Sequence, residues 1–579
     1  MHSYNSQSLP AVIAATAIAV LLLHPTAPAC AEESLLQKEQ HRIAVLNRIA
    51  PSVVCVMDPG GAGGGSGVLI SSDGFAISNY HVTAGAGSFL KCGLNDGRVY
   101  DAVIVGIDPT GDVSLIQLLG RDDFPAAEPG NSDSVQVGDE ALALGNPFLL
   151  ATDFTPTVTY GIVSGVHRYQ YPSGTFLEYT DCIQIDASIN PGNSGGPLFD
   201  RSGFWIGING RASFEKRGRV NSGAAYAISV NQVLLFVEHL KSGLIIDHGR
   251  SGFAAATTEN GDVIVTQVSE LSEAWRRGLR SGAVLTSFAG RPLSSSNQLQ
   301  NIIGIYPEGT RLPMQWTDAD GAHSATIRLM PIHDFEAAPE LPMERRQRRG
   351  PMPEEPEAEE PAGREELPRS LTERFEERRG YCNFYFNRRQ KNQILDRLPA
   401  APGLPEAETW SIEFTPRNAP AGPPGVLAVT PKTTGYRLGD QAWLQSRSEP
   451  DPNEEPAGFP GILAAVGELL SLLTMKDAGF DELTAFGSTV HIPLQQNLSV
   501  LISRSGLRQG RWYFSPDQHW PVALDLQYGV AIDEARVVFN EWSTEDGVSF
   551  PAEIGIIDPI SETPVWFQVG RPSRRGASR

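Results

Sequence analysis

Hydrolysis of an unactivated amide needs a nucleophile, a base to deprotonate it, a carboxylate to orient that base, and backbone donors for the developing oxyanion. The segment Asn190-Pro191-Gly192-Asn193-Ser194-Gly195-Gly196-Pro197-Leu198 sets one serine among glycines. Such a run permits a tight turn with inward N–H groups, and a side chain at Gly192 would obstruct the approach. The same residues also suit a Gly-rich hairpin with a structural serine. Upstream, Ile77-Ser78-Asn79-Tyr80-His81-Val82 ends an apolar run on a histidine. Between the two lies Asp108-Pro109-Thr110-Gly111-Asp112-Val113-Ser114-Leu115, where Asp112 opens an alternating strand and Asp108 competes for the carboxylate role. An Asp after Gly is usually a turn residue. The order His81, Asp112, Ser194 matches one known triad order and excludes those of subtilisin and the α/β-hydrolases.

These three side chains can meet only if the intervening chain folds back on itself. Ile43, Leu46 and Ile49 recur at helical spacing until Pro51 stops them, and Val53 to Val56 begins a β-rich stretch. From there to about residue 245, short aliphatic runs (Gly67 to Ile70, Val103 to Ile107, Val113 to Leu118, Phe204 to Ile208) are punctuated by Gly, Asp and Asn. That pattern predicts an antiparallel sandwich or barrel, not βαβ units. Asn231 to Leu240 reads as a closing helix capped by Asn231.

The whole chain is 579 residues, about four domains' worth, with 46 Lys plus Arg against 67 Asp plus Glu for a net charge of -21. That sign opposes attraction to phosphate backbones, so nucleic acid is not an expected partner. The apolar run Ala11 to Leu23 is too short to span a bilayer and, with Ala27, Ala29 and Ala31 after it, reads as an export signal over residues 1–31. Cys30 leaves open a lipid-modified N-terminus. Cys55, Cys92, Cys182 and Cys382 show no CxxC spacing, and neither a metal nor a cofactor is expected. Those four thiols are read as buried small apolar groups, with one or two bridges as the alternative.

Beyond residue 250 a small mixed α/β unit is expected: strands at Val263 to Val268 and Ala283 to Phe288, helical stretches at Glu273 to Arg277 and Ser296 to Ile303. Residues 333–380, with seven prolines from Pro339 to Pro368 among Glu and Arg, read as a disordered linker. Six of the nine tryptophans follow residue 381, and Trp410, Ile412, Phe414 and Val522, Leu524, Leu526, Tyr528 alternate. A curved antiparallel sheet covered by one apolar helix, Ile462 to Leu473, makes 381–571 an α+β domain.

On the serine motif and the triad order, residues 40–332 resemble the HtrA/Deg family of chymotrypsin-like serine proteases with an attached PDZ domain. The resemblance implies a double β-barrel over residues 32–245, His81 as general base, Asp112 as its orienting carboxylate and Ser194 as nucleophile. Gly192, Asn193 and Ser194 would frame the oxyanion hole. In that register Ser188 lies at the base of the specificity pocket with Ile189 and Ile208 nearby; a neutral base favours small aliphatic side chains, and Asp186 is the rival that would make it acidic. Ile185, Ser188 and Thr83 depart from the usual family residues without removing a catalytic group.

Gly261-Asp262-Val263-Ile264, Gly278 to Gly282 and Phe288-Ala289-Gly290 resemble a PDZ domain, placed at 250–332. Phe253 suits its peptide-binding loop, and Ala254, Ala255 and Ala256 depart from it, so capture of peptide C-termini and a purely structural role both stand. The resemblance further implies an exported endopeptidase, periplasmic or secreted, acting on misfolded or damaged proteins, a homotrimer packed through Leu35 to Ile49, and a ligand-sensing loop at Val166 to Tyr179. The final strands are similar, without a specific motif, to the half-barrels of periplasmic lipoprotein carriers, and the partner of that domain is not specified. Competing functions are a holdase chaperone on the same fold and an envelope adaptor run by the C-terminal domain.

Overall fold

The computed structural model describes residues 35–61, 64–146, 153–170, 178–214, 221–333, 367–398, 408–417, 424–447, 461–529, 532–545, 548–558, 561–570 and 573–576. The export signal and Cys30, most of the linker (334–366) and part of the sensing loop (171–177) lie outside them. Residues up to Arg48 form one unit, whose described part belongs to the helix α1 (Leu35–Ile49); the rest of the chain forms the other.

Twelve strands build two closed barrels. The first holds β1 (Val53–Met57), β2 (Gly65–Leu69), β3 (Phe75–Ser78), β4 (Phe89–Gly93), β5 (Val99–Asp108) and β6 (Val113–Leu118), in the order β1-β2-β3-β6-β5-β4. The second holds β7 (Glu140–Gly145), β8 (Thr157–Gln170), β9 (Tyr179–Ile185), β10 (Pro197–Asp200), β11 (Trp205–Phe214) and β12 (Asn221–Ser229), in the order β10-β11-β12-β9-β8-β7. This is the chymotrypsin-like double barrel. Val54, Val56, Leu69, Ala76, Leu90 and Ile116 fill one interior; Ala141, Val163, Ile183, Ile185 and Leu198 fill the other. Closure removes sheet edges, and β1, β2 and β3 are buried on both faces. The runs at β5 and β6 are buried on both faces because the closing helix packs outside them. That helix, α3 (Val230–Lys241), starts one residue earlier than expected. Ser229 is its N-cap, and Asn231 spends its amide on Asn131 instead (2.8 Å). A one-turn helix, α2 (Tyr80–Thr83), follows β3.

Next comes a sheet whose main path is β14-β15-β16-β18-β19: β14 (Phe253–Thr257), β15 (Val263–Val268), β16 (Val284–Phe288), β18 (Arg311–Asp318) and β19 (Gly321–Arg328). The short β17 (Arg291–Pro292) pairs with β16, and β13 (Gly249–Arg250) pairs with β20 (Met330–Pro331). The expected helices are present as α4 (Glu273–Arg276), capped by the Ser272 side chain, and α5 (Ser296–Gly304), capped by Ser295.

The composition carries the linker to residue 380, but the chain docks earlier. From Leu367 onward it lies along the first barrel: α6 (Arg369–Thr372) buries Leu371, Phe375 stacks edge-on with Phe89 (5.6 Å), and Arg374 donates to Gln117 (3.1 Å). Two apolar anchors in a charged segment are enough to seat it. After α7 (Phe384–Leu395) the remaining chain forms one antiparallel sheet. Its first meander runs from Glu408–Pro416 out to Gln441–Ser446. The helix α8 (Ile462–Met475) then crosses, and a second meander starts at the opposite edge with Glu482–His491 and returns through Pro564–Val569 to pair with the first. Trp410, Ile412, Phe414, Leu524 and Leu526 point to one face and pack on α8, which is buried along nearly all its length. Among the described residues no helix is long and apolar enough to cross a membrane.

Candidate active site

Asp112 reaches its place through a turn that Asp108 builds. The Asp108 carboxylate accepts the N–H groups of Thr110 (3.1 Å) and Gly111 (2.8 Å), and the chain then turns through Asp112 at φ 61°. A Cβ on Gly111 would stand 2.3 Å from Asp108 Oδ2, so only glycine fits. Asp is among the few side chains that tolerate this left-handed conformation. The turn presents the Asp112 carbonyl to Tyr80 N–H (3.1 Å) and Asn79 Nδ2 (2.9 Å), which fixes α2 beside it.

On α2, His81 donates its backbone N–H to Asp112 Oδ1 (2.9 Å), and its Nδ1 meets Oδ2 at 2.7 Å. The carboxylate is fully buried while the imidazole is 37% exposed. A carboxylate only accepts, so Nδ1 carries the proton and, in the neutral ring, Nε2 holds the basic lone pair. A third donor, the Tyr179 hydroxyl, reaches Oδ2 at 2.5 Å. Asp108, the rival carboxylate, faces away: its Oδ2 meets Nε2 of the fully buried His248 at 2.8 Å.

Ser194 directly follows a type II turn formed by Asn190 to Asn193. Asn193 N–H returns to the Asn190 carbonyl (2.9 Å), Pro191 supplies the fixed φ, and Gly192 takes the positive φ of 104°. The turn is bolted to the first barrel by Ser66: its N–H donates to the Ser194 carbonyl (2.8 Å), and its hydroxyl donates to the Gly192 carbonyl (2.6 Å) while accepting Asn146 N–H (2.9 Å). Gly195, at φ 83°, must also be glycine, since a Cβ would stand 2.2 Å from the Ser66 carbonyl. Along this segment the N–H groups of Asn193, Gly195 and Gly196 are committed to carbonyls, whereas those of Gly192 and Ser194 have no hydrogen-bond partner among the described residues. Asn193 therefore shapes the turn. The Ser194 hydroxyl donates to the Gly210 carbonyl (3.2 Å).

Of the expected pocket residues, Ser188 is exposed, while Ile189 and Ile208 are buried, Ile189 in the core of the second barrel. Asp186 accepts Ile162 N–H (2.7 Å) on the exposed rim of β8. Phe253, Ala254, Ala255 and Ala256 all lie on β14, the sheet's edge strand; Phe253 and Ala255 pack on the core and Ala254 and Ala256 are exposed. A cavity of about 280 Å³ opens beside Phe253 and Ala254, walled by Gln300, Ile303 and Gly304 of α5 and by Glu178.

Residues 65–208 match the trypsin-like peptidase domain. The periplasmic serine endoprotease DegP of Escherichia coli K12 is 36% identical over 285 residues, 45% of this chain and 58% of the relative. The probable DegP-like endoprotease of Chlamydia trachomatis serovar D is 34% identical over 262 residues, 43% of this chain and 50% of the relative. Over less than half of its length the chain is similar to the DegP serine endoproteases. It spans 58% and 50% of the length of these two DegP relatives. Among solved structures, the HtrA-type protease AlgW with tripeptide aligns at 29% identity and a TM-score of 0.42, over 51% of this chain and 99% of its own.

Sequence reasoning missed Ser66, Tyr179 and Gly210. None has a motif of its own, because each reaches the site only through strand pairing. Among the described residues, Cys55, Cys92, Cys182 and Cys382 are free thiols, the first three buried; burial pushes the Cys382 thiol up to about 12 and raises those of Cys55, Cys92 and Cys182. Among the described residues no His, Cys, Asp and Glu cluster has metal-holding geometry.

Proposed function

We propose that this chain is an exported serine endopeptidase that hydrolyses peptide bonds in misfolded or damaged proteins, with His81 as general base, Asp112 as its orienting carboxylate and Ser194 as nucleophile. The observation that carries the reading is the Nδ1 to Oδ2 contact of 2.7 Å between His81 and a fully buried Asp112. It leaves Nε2 to take the Ser194 proton as Oγ attacks the scissile carbonyl. The imidazolium then gives that proton to the leaving amine, water attacks the acyl-enzyme by the same relay, and Asp112 stabilises the cation without being protonated. The open N–H groups of Gly192 and Ser194 support their role as donors to the oxyanion.

Export to the periplasm fits both relatives' names and the N-terminal apolar run. Small aliphatic residues are the expected preference at the cleaved bond, since Ser188 is neutral and Asp186 is engaged by Ile162. The unit at 250–332 is read as a PDZ domain whose free edge strand β14 would add a peptide strand and take its C-terminus near the Phe253 cavity. A homotrimer packed through Leu35 to Ile49 remains the expected assembly, and Leu35, Leu36 and Ile43 expose apolar side chains along that helix.

One observation favours a second reading, a holdase with a resting active site: the Ser194 proton is donated to Gly210, away from the base. Degradation of unfolded casein by the full chain separates the two. Loss of hydrolysis in Ser194→Ala supports the peptidase. Binding of casein without cleavage in the unsubstituted chain supports the holdase, and cleavage predominantly after Lys or Arg contradicts the pocket assignment.

A further inference from the structure

A buried carboxylate stays charged only while donors answer its lone pairs. For Asp112 these are the His81 amide on Oδ1 and, on Oδ2, both the His81 imidazole and the Tyr179 phenol. The phenol's 2.5 Å contact is the shortest of the three.

Three contacts fix the phenol there. Glu178 N–H donates to the Thr110 carbonyl (2.8 Å), tying the residue before Tyr179 to the turn that carries Asp112. Asp181 N–H donates to Asn301 Oδ1 (3.0 Å), tying the start of β9 to α5. Gly210, whose carbonyl takes the Ser194 proton, leaves room for the ring: a Cβ there would stand 2.7 Å from Tyr179 Cε1 and 3.0 Å from its hydroxyl. The ring thus fills the space between the nucleophile's acceptor and the orienting carboxylate.

We propose that Tyr179 is a positioning residue for the reaction: its hydroxyl shares Asp112 Oδ2 with His81 and sets how tightly that carboxylate holds the imidazolium. The proposal rests on the triad reading above. With the phenol present, part of the charge on Oδ2 is already answered, so the imidazolium is held less tightly and its proton passes more readily to the leaving amine. Without it, Oδ2 is a stronger acceptor for Nδ1–H, and His81 keeps its proton to higher pH. The titratable groups on this carboxylate are His81 and Tyr179. Around them stand Asp108 and His248 behind the turn, Glu178 next in the chain with its carboxylate taken by the Tyr169 hydroxyl, and Asp181 paired with His167 farther along β9.

The test is kcat/KM against pH for a fluorogenic peptide, using the full chain with Tyr179, Tyr179→Phe and 3-fluorotyrosine at position 179. Circular dichroism and melting temperature report folding. Tyr179→Phe should lower kcat/KM about tenfold at neutral pH, mostly in kcat, and move the acid limb up by about half a pH unit or more. The fluorinated phenol is a stronger donor of nearly the same shape, so it should move the limb down, and it serves even if Tyr179→Phe fails to fold. An acid limb unmoved in the fluorinated protein reduces Tyr179 to packing and overturns the proposal. Hydrolysis that survives Ser194→Ala overturns the triad reading instead. Activity abolished by Ser194→Ala with no shift in either Tyr179 variant overturns only the positioning role.

Discussion

At the scale of single residues, the site is built from groups whose neighbours leave them one option. Gly192 illustrates this. Its φ of 104° and its unbonded N–H both follow from the type II turn, and an L side chain there is strained. Gly192→Ala should therefore lower kcat about 10²-fold or more by misplacing one oxyanion donor, with little change in far-UV circular dichroism. Equal turnover in that variant would remove Gly192 from the machinery. The glycine-framed serine and the His, Asp, Ser order were legible from the sequence because each depends on a short local run. The choice between Asp108 and Asp112 was not, since both sit in one turn. It is decided by which carboxylate bears the turn and which faces α2. Ser66 and Tyr179 were illegible for a related reason. Ser66 meets Gly192 across 126 positions and Tyr179 meets Asp112 across 67, through pairings that no spacing announces.

At the scale of elements, the turn carrying Asp112 rests on a buried ion pair that joins the first barrel to the sheet after it. His248 Nε2 meets Asp108, and its Nδ1 meets the Gly304 carbonyl at 2.5 Å, so both ring nitrogens face acceptors and both carry protons. Burial pushes the imidazolium pKa down, but Asp108, helped by Asp247 and Glu178, outweighs it and the net shift is upward. A raised folded-state value means that this contribution to stability is fully present below the ordinary histidine range and is lost as pH rises through the folded value. Melting temperatures should therefore fall between pH 6 and 9 more steeply in the unsubstituted chain than in His248→Gln. Parallel curves would show that His248 is neutral. The antiparallel β-rich character of residues 53–245 and the helices α3, α5 and α8 were legible from periodicity, and the double barrel followed only from the family resemblance; the seating of residues 367–380 on the first barrel was not legible. Its charged composition masks Leu371 and Phe375, which do the anchoring.

At the scale of the whole molecule, the C-terminal sheet is joined to the 250–332 unit by an ionic seam that is buried at Arg311, Arg328, Asp525 and Glu534 and half-exposed at Asp533. Arg328 meets Asp525 (2.5 Å) and Glu534 (2.8 Å), Arg311 meets Glu534 (2.6 Å), and Arg276 and Arg277 share Asp533 (2.7 and 2.9 Å). A tether was expected here, and docking was not legible because these charges are scattered over some 260 positions and are joined only by folding. Burial pushes the Glu534 carboxyl up, yet Arg328 and Arg311 hold it well below the usual carboxylate range. The stability it contributes is thus present above that range and is lost as pH falls through the depressed value. Removing Arg328 takes a partner from both Asp525 and Glu534 and leaves Glu534 with Arg311 alone, and breaking a buried ion pair costs up to about 3–5 kcal/mol. Arg328→Ala should therefore free the C-terminal sheet for limited proteolysis at neutral pH. Unchanged protection would mean that the hydrogen bonds of Asn387 on α7 to Ala485 and of His239 on α3 to the Phe486 carbonyl hold the docking without Arg328.

The claim on which the rest depends is that Ser194 is a nucleophile activated by His81. Intact-protein mass spectrometry after reaction with a fluorophosphonate, followed by peptide mapping, tests it most directly. The expected result is one adduct per chain on Ser194, formed at least about 10³-fold more slowly in His81→Ala. An adduct on another residue, or a labelling rate indifferent to His81→Ala, would contradict it.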